Sequence, residues 1–177
     1  ILVDCDLRKP SANLYLGIPN SEGLSSVLNA DAFLNDAILP EIAPNFDVLL
    51  AGPEVENPSE LIGSELFVAL IRHLKSRYEY VIIDAPPINA VVDAAIIAGM
   101  VNCVAMVASH RKTKRADIQS AYRSMLQICQ KKVYAILNNV NDSGFMMPYS
   151  SGYNAYYGRS YLKGRLVYGR RSRKKAA

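Results

Sequence analysis

Apolar residues along this chain gather in short unbroken runs separated by stretches with a one-sided helical stripe. The runs at 80–83, 103–108 and 133–137 are rich in β-branched and aliphatic residues and lack strict alternation. That is the pattern of strands covered on both faces, as in parallel sheets. Between them, Leu66, Phe67, Leu70, Ile71 and Leu74 recur at helical spacing, and Ile118, Tyr122, Met125, Leu126 and Cys129 make a second stripe. Residues 1–3 and 46–50 read as two further strands, the latter closed by Gly52-Pro53. Residues 11–45, punctuated by Pro19, Pro40 and Pro44, read as short helices and turns. Strand alternating with helix predicts an α/β fold, a mostly parallel sheet flanked by helices.

The periodicity stops near Asn141, after which Gly, Ser, Tyr and Arg dominate. Too little apolar surface remains there to offset the entropy of ordering, so the expected organisation is a domain over 1–144 and a tail over 145–177 that orders only on binding. The net charge of +4 conceals an asymmetry: residues 145–177 hold eight Lys or Arg and no acid, leaving the body at about −4. A basic tail suits nucleic acid, anionic lipid or phosphate groups, and its sign alone does not choose among them. Residues 88–108 are apolar for about the length of a membrane span. Asn89, Asp93, Gly99 and Asn102 interrupt them, which favours a buried helix followed by a strand. Cys5, Cys103 and Cys129 show no CxxC spacing, as expected of reduced cysteines in a cytoplasmic protein. His73 and His110 share no metal-ligand spacing with them, and Lys112, Lys114 and Arg115 read as a solvated helix start.

Two acidic stations stand where apolar strands end. One is Asp4-Cys5-Asp6-Leu7-Arg8; the other is Asp84-Ala85-Pro86-Pro87. Ligands of open parallel sheets bind beyond the carboxyl ends of the strands, so both stations can face one crevice. An apolar triplet ending in Asp fits the arrangement in which a carboxylate holds Mg²⁺, directly or through water, beside nucleotide phosphates; Asp84 is the candidate, and an Asp-Pro turn opener is the plainer alternative. A tyrosine that attacks phosphorus must lose its proton, and a positioned carboxylate accepts it. Asp4 or Asp6 suits that role, the other lying nearer the metal. Arg8 would neutralise phosphate charge, hold the aspartates in place, or form a structural ion pair. In the tail, Tyr149, Tyr153, Tyr156, Tyr157, Tyr161 and Tyr168 are six of the 11 tyrosines.

The residues 4–10 resemble the Walker A-prime motif of the bacterial tyrosine kinases of capsule and exopolysaccharide synthesis, and 84–87 resemble their Walker B. Asn57-Pro58-Ser59-Glu60-Leu61-Ile62-Gly63-Ser64 is similar to a segment that these kinases carry after a strand ending in Gly-Pro. The resemblance implies a P-loop NTPase-like fold, ATP and Mg²⁺ as cofactors, and transfer of phosphate in trans to tail tyrosines of a neighbouring subunit. It places the metal with Asp84, Asp4 and Asp6, the chemistry with Asp4, Asp6 and Arg8, and a base contact at Asn138 and Asn139. It further implies self-association into a ring, a membrane activator of the polysaccharide co-polymerase type, fused or separate, and a cognate tyrosine phosphatase, at the inner face of the cell membrane. No nucleic acid is expected.

The Gly-x-x-x-x-Gly-Lys-Ser/Thr loop that cradles phosphates occurs nowhere in the 177 residues. In the family it precedes the Walker A-prime strand, so the expectation is a C-terminal fragment of a longer protein that binds ATP poorly by itself. The competing readings are a positioning ATPase of the cell-division or plasmid-partition type, which needs no tyrosine cluster, and a non-catalytic regulatory module of polysaccharide assembly.

Overall fold

The computed structural model describes residues 1–128 and 132–140 of the chain. Its elements run β1 (Leu2–Asp4), α1 (Ala12–Leu16), α2 (Leu24–Leu28), α3 (Leu34–Ala37), β2 (Ile38–Ala43), β3 (Phe46–Leu49) and α4 (Pro58–Ile62). They continue with α5 (Glu65–Arg77), β4 (Ile82–Asp84), α6 (Asp93–Met100), β5 (Cys103–Ser109), α7 (Arg115–Ile128) and β6 (Lys132–Asn138). Residues 1–138 form one compact unit.

The strand β1 is central, with β3 and β4 parallel to it on either side. The register sets Leu2 opposite both Val48 and Ile82 and sets Asp4 opposite Asp84. On the far side of β3 lies β2, antiparallel, at the sheet edge. This corrects the reading of 11–45 as helices and turns alone. Ile38 and Leu39 pair with Leu49 and Val48, two buried residues. Pro40 is tolerated because the strand is an edge and its register shifts between Leu39 and Ala43. The prolines that argued for turns therefore mark an edge strand with an irregularity.

The strands β5 and β6 form a separate parallel pair, in register from Cys103 opposite Lys132 to Ser109 opposite Asn138. Their unbroken apolar runs predict burial on both faces, and here the structure differs. Val104, Met106 and Val133 pack with Ala98 of α6 and Met125 of α7, whereas Val107, Tyr134 and Ile136 are exposed, as is Ile82 of β4. Among the described residues, helices cover one face of this pair.

The main core lies between the four-stranded sheet and α5. Ser64 caps α5, its Oγ accepting from the Phe67 N–H at 3.1 Å, while Lys75 and Arg77 sit in the last turn near the negative end of the helix dipole. Phe67, Leu70, Ile71 and Leu74 are buried against Val3, Leu49 and Ile62, but Leu66 faces solvent. In α7, Met125 and Ala121 are buried while Tyr122 and Leu126 are exposed, so the true stripe is narrower than the sequence suggests. Cys129, the second stripe's last member, lies outside the described residues. The stretch 88–108 folds as α6 followed by β5, and no helix among the described residues is long and apolar enough to cross a membrane.

One polar tie joins α5 to the sheet edge and carries a pH signature. The carboxylate of Asp47 on β3 accepts from the Glu41 N–H at 2.9 Å and from the Tyr78 hydroxyl at 2.7 Å. These two bonds hold the Asp47 carboxyl below the usual range despite some desolvation. Burial, then Asp47 itself, push the Tyr78 phenol up. A depressed acid stabilises the fold above its unfolded pKa, and that contribution disappears as pH falls through the folded value, below about 4. A raised phenol stabilises below its unfolded pKa of about 10, and its share is lost as pH rises beyond that. Tyr78→Phe is therefore expected to cost about 1 kcal/mol at neutral pH and to flatten the alkaline limb of a melting-temperature profile. An unchanged limb would show that the tie contributes nothing.

Candidate active site

Two chain segments meet at the carboxyl ends of β1 and β4. Asp4 ends β1, fully buried, and its register partner Asp84 ends β4, exposed. Between the two strands the chain is knitted by the Cys5 N–H, which donates to the Asp84 carbonyl at 2.8 Å. The loop that follows β1 is organised by its own aspartates. Asp4 Oδ1 accepts from the Asp6 N–H at 3.1 Å and Asp4 Oδ2 from the Ala12 N–H at 3.3 Å. Asp6 Oδ1 in turn accepts from the N–H groups of Arg8 at 3.3 Å and Lys9 at 3.0 Å. These are the short local bonds by which Asp side chains hold turns.

The two carboxylates on facing strand ends also feel one another. Burial raises the Asp4 carboxyl; the backbone bonds from Asp6 and Ala12 oppose this, and the nearby charges of Asp84 and Asp6 add to it. Desolvation raises Asp84 as well, followed by the charge of Asp6, with a backbone bond from Ala85 opposing. The buried Cys5 has its thiol pushed well up by burial and by both aspartates, which keeps it protonated. Crowded carboxylates of this kind are relieved by a cation. Among the described residues no group of three or more His, Cys, Asp or Glu is arranged to hold a metal ion. Both oxygens of Asp4 accept from its own loop, which leaves the exposed Asp84 and the second oxygen of the half-buried Asp6 outside those bonds. One or two carboxylates completed by water and phosphate oxygens suit Mg²⁺, which is seldom caged by protein alone.

Arg8 does not stand free beside the aspartates. Its Nε donates to Asp93 Oδ2 at 2.8 Å and its Nη2 to Ser59 Oγ at 2.7 Å, while Ser59 Oγ donates to Asp93 Oδ1 at 2.5 Å. Burial alone would raise the Asp93 carboxyl, yet the bonds from Arg8 and Ser59 bring it below the usual range. Sequence reasoning missed Ser59 and Asp93 as partners of this arginine. A signal was present: Asp93 interrupts an otherwise apolar stretch, and an acid buried there requires a cation or a set of donors.

The other candidates lie elsewhere. Asn138 ends β6 in the two-stranded sheet, its carbonyl accepting from the His110 N–H at 2.8 Å. Asn139 follows with a φ of 58°, a conformation Asn adopts more readily than most residues. His73 is exposed on α5, while His110 is half-buried in the turn after β5. Tyr149, Tyr153, Tyr156, Tyr157, Tyr161 and Tyr168 lie outside the described residues.

The chain is 34% identical over 159 residues to CapB of Staphylococcus aureus, covering 89% of this chain and 67% of CapB. It is 36% identical over 140 residues to the tyrosine-protein kinase Wzc of Salmonella typhi, covering 79% of this chain and 20% of Wzc. It thus spans about two thirds of the first relative and a fifth of the second. Among solved structures, the kinase domain of VpsO superposes with a TM-score of 0.73 at 33% identity, over 79% of this chain and 70% of that domain. No protein-family model matches the chain. The α/β fold, the acidic strand ends and these likenesses over most of its length agree: the chain belongs to the family of bacterial tyrosine-protein kinases.

Proposed function

We propose that this chain is part of an ATP-dependent protein-tyrosine kinase that phosphorylates the tyrosine cluster of a neighbouring copy. The observation that carries the reading is the pairing of Asp4 with Asp84 across adjacent parallel strands, with Asp6 close enough to raise the Asp84 carboxyl. Bound Mg-ATP would supply the γ-phosphoryl group, with the ion neutralising charge on the β and γ oxygens. Asp84 is the residue assigned to the ion. Asp6, with Oδ2 outside the loop's hydrogen bonds, takes the phenol proton of the attacking tyrosine. Asp4 shapes the loop and adds its charge to the field around the ion. Base contact by Asn138 and Asn139 belongs to the same reading.

These 177 residues hold no phosphate-cradling loop, so by themselves they are expected to be inactive. The proposal extends to control of capsule or exopolysaccharide synthesis and export, with a ring of subunits held by a membrane activator of the co-polymerase type at the inner membrane face and reset by a tyrosine phosphatase. Each phosphate adds roughly −1.5 to −2 charges, so a handful would reverse the eight positive charges of residues 145–177 and loosen the ring.

Replacing all six tail tyrosines with phenylalanine in the full-length protein is expected to abolish phosphotyrosine after incubation with Mg-ATP, with nucleotide binding intact. Unchanged labelling on an anti-phosphotyrosine blot would overturn the substrate assignment. Phosphate release without any labelling of the wild-type protein would favour a positioning ATPase.

A further inference from the structure

The hydrogen bonds around Arg8 connect three stretches that are distant in sequence. Ser59 belongs to α4, Asp93 opens α6, and Arg8 lies in the loop after β1. Asp93 is 1% exposed and Arg8 38%, so the carboxylate is a fixed interior anchor and the guanidinium reaches inward to it. The Ser59 hydroxyl lies between them, accepting from Arg8 Nη2 and donating to Asp93 Oδ1, which satisfies both of its roles at once. Nη2 also approaches Asp93 Oδ1, at 3.5 Å. A planar guanidinium held at Nε and Nη2 has little freedom to rotate.

The anchor reaches the aspartates through the backbone. The side chain of Arg8 is held by α4 and α6, while the N–H of the same residue donates to Asp6 Oδ1. The neighbouring Lys9 N–H donates to that oxygen too. Whatever fixes Arg8 therefore constrains the Asp6 carboxylate through Oδ1, leaving Oδ2 outside the loop's hydrogen bonds.

We propose that Ser59 and Asp93 are positioning residues: through Arg8 they set the orientation of the Asp6 carboxylate. The geometric part stands without any assigned activity, and its consequence for rate rests on the kinase reading above. Misplacing a reacting group by about 1 Å can cost 10²-fold in rate, so loss of one bond of the anchor should be felt strongly.

The test uses the full-length protein with Ser59→Ala, Ser59→Thr, Asp93→Asn and Arg8→Lys. Two measurements are made, hydrogen exchange at the Arg8 and Lys9 amides and steady-state tyrosine phosphorylation. Ser59→Ala and Asp93→Asn are expected to speed exchange at those two amides about tenfold and to lower kcat at least tenfold, with KM for ATP changing less than twofold. Ser59→Thr, which keeps the hydroxyl, should restore both readouts, and Arg8→Lys, which lacks the fork, should not. Exchange at the two amides unchanged in Ser59→Ala, or a threonine variant as impaired as the alanine, would overturn the proposal. If the wild-type protein forms no phosphotyrosine, the kinase reading falls, and the exchange rates still decide whether the anchor orients Asp6.

Discussion

Asp84→Asn is expected to lower tyrosine phosphorylation by the full-length protein by about 10²-fold or more while leaving its melting temperature unchanged or slightly raised. The two outcomes have one electrostatic origin. Asp84 stands on the strand next to Asp4, and both desolvation and the charge of Asp6 raise its carboxyl. An acid whose folded pKa lies above its unfolded value costs stability in its charged form at neutral pH, so a neutral amide of the same shape relieves the metal-free protein. The same negative charge is what an ion beside phosphate requires, and removing a preorganised charge from a developing transition state costs on the order of 10²–10³ in rate. Asp6→Asn should show a similar loss, about 10²–10⁴-fold, if Asp6 is the proton acceptor proposed above. Single-turnover phosphorylation paired with thermal melting decides the matter. Near-normal rates, or a melting point lowered by several degrees, would mean that Asp84 serves the fold rather than a ligand.

The second large effect lies in the packing that supports the site. Gly23, which precedes α2, packs directly on the chain where β3 leaves the sheet. A Cβ built there would collide with the Leu50 carbonyl oxygen and the Gly52 nitrogen, and would lie 2.8 Å from the Gly52 Cα. These are backbone atoms and are held from several sides. Leu24 and Ser25 donate to the carbonyls of Leu50 and Ala51 at 2.7 and 2.9 Å, and the Asn20 side chain both donates to and accepts from Gly52. Gly52 itself adopts a φ of 83°, which other residues rarely do. Gly23→Ala is therefore expected to destabilise the protein by about 3 kcal/mol, a large share of the usual stability of a domain. Gly99, in α6, is the control, since a Cβ there meets nothing within 4 Å. Gly99→Ala should stabilise by about 0.5–1 kcal/mol. Denaturant unfolding that gave both alanines the same small effect would contradict this account of close approach.

Which parts of this arrangement can be read from the chain follows from the range of the forces involved. The runs that become β1, β3, β4, β5 and β6 announce themselves because burying apolar side chains is a local demand, visible in a few consecutive residues. The helix α5 is legible for the same reason, and its cap at Ser64 followed by Glu65 is a recognisable start. The edge strand β2 was not, because Pro40 and Pro44 carry a turn signal that only an edge position overrides. The burial of β5 and β6 was overread: an unbroken apolar run states what a strand can bury and leaves open what is there to cover it.

The chemistry divides along the same line. That Asp4 and Asp84 end strands, with Asp6 just beyond the first, was decided by sequence alone, since an apolar run stopping at an acid is a local pattern. That Asp84 lies beside Asp4 in register, and that Arg8 is tied to Ser59 and Asp93, was decided only by the tertiary fold. Hydrogen bonds and charge pairs join residues 51 and 85 positions apart. Their geometry depends on how α4 and α6 pack beside β1, and no local stretch of chain encodes that packing.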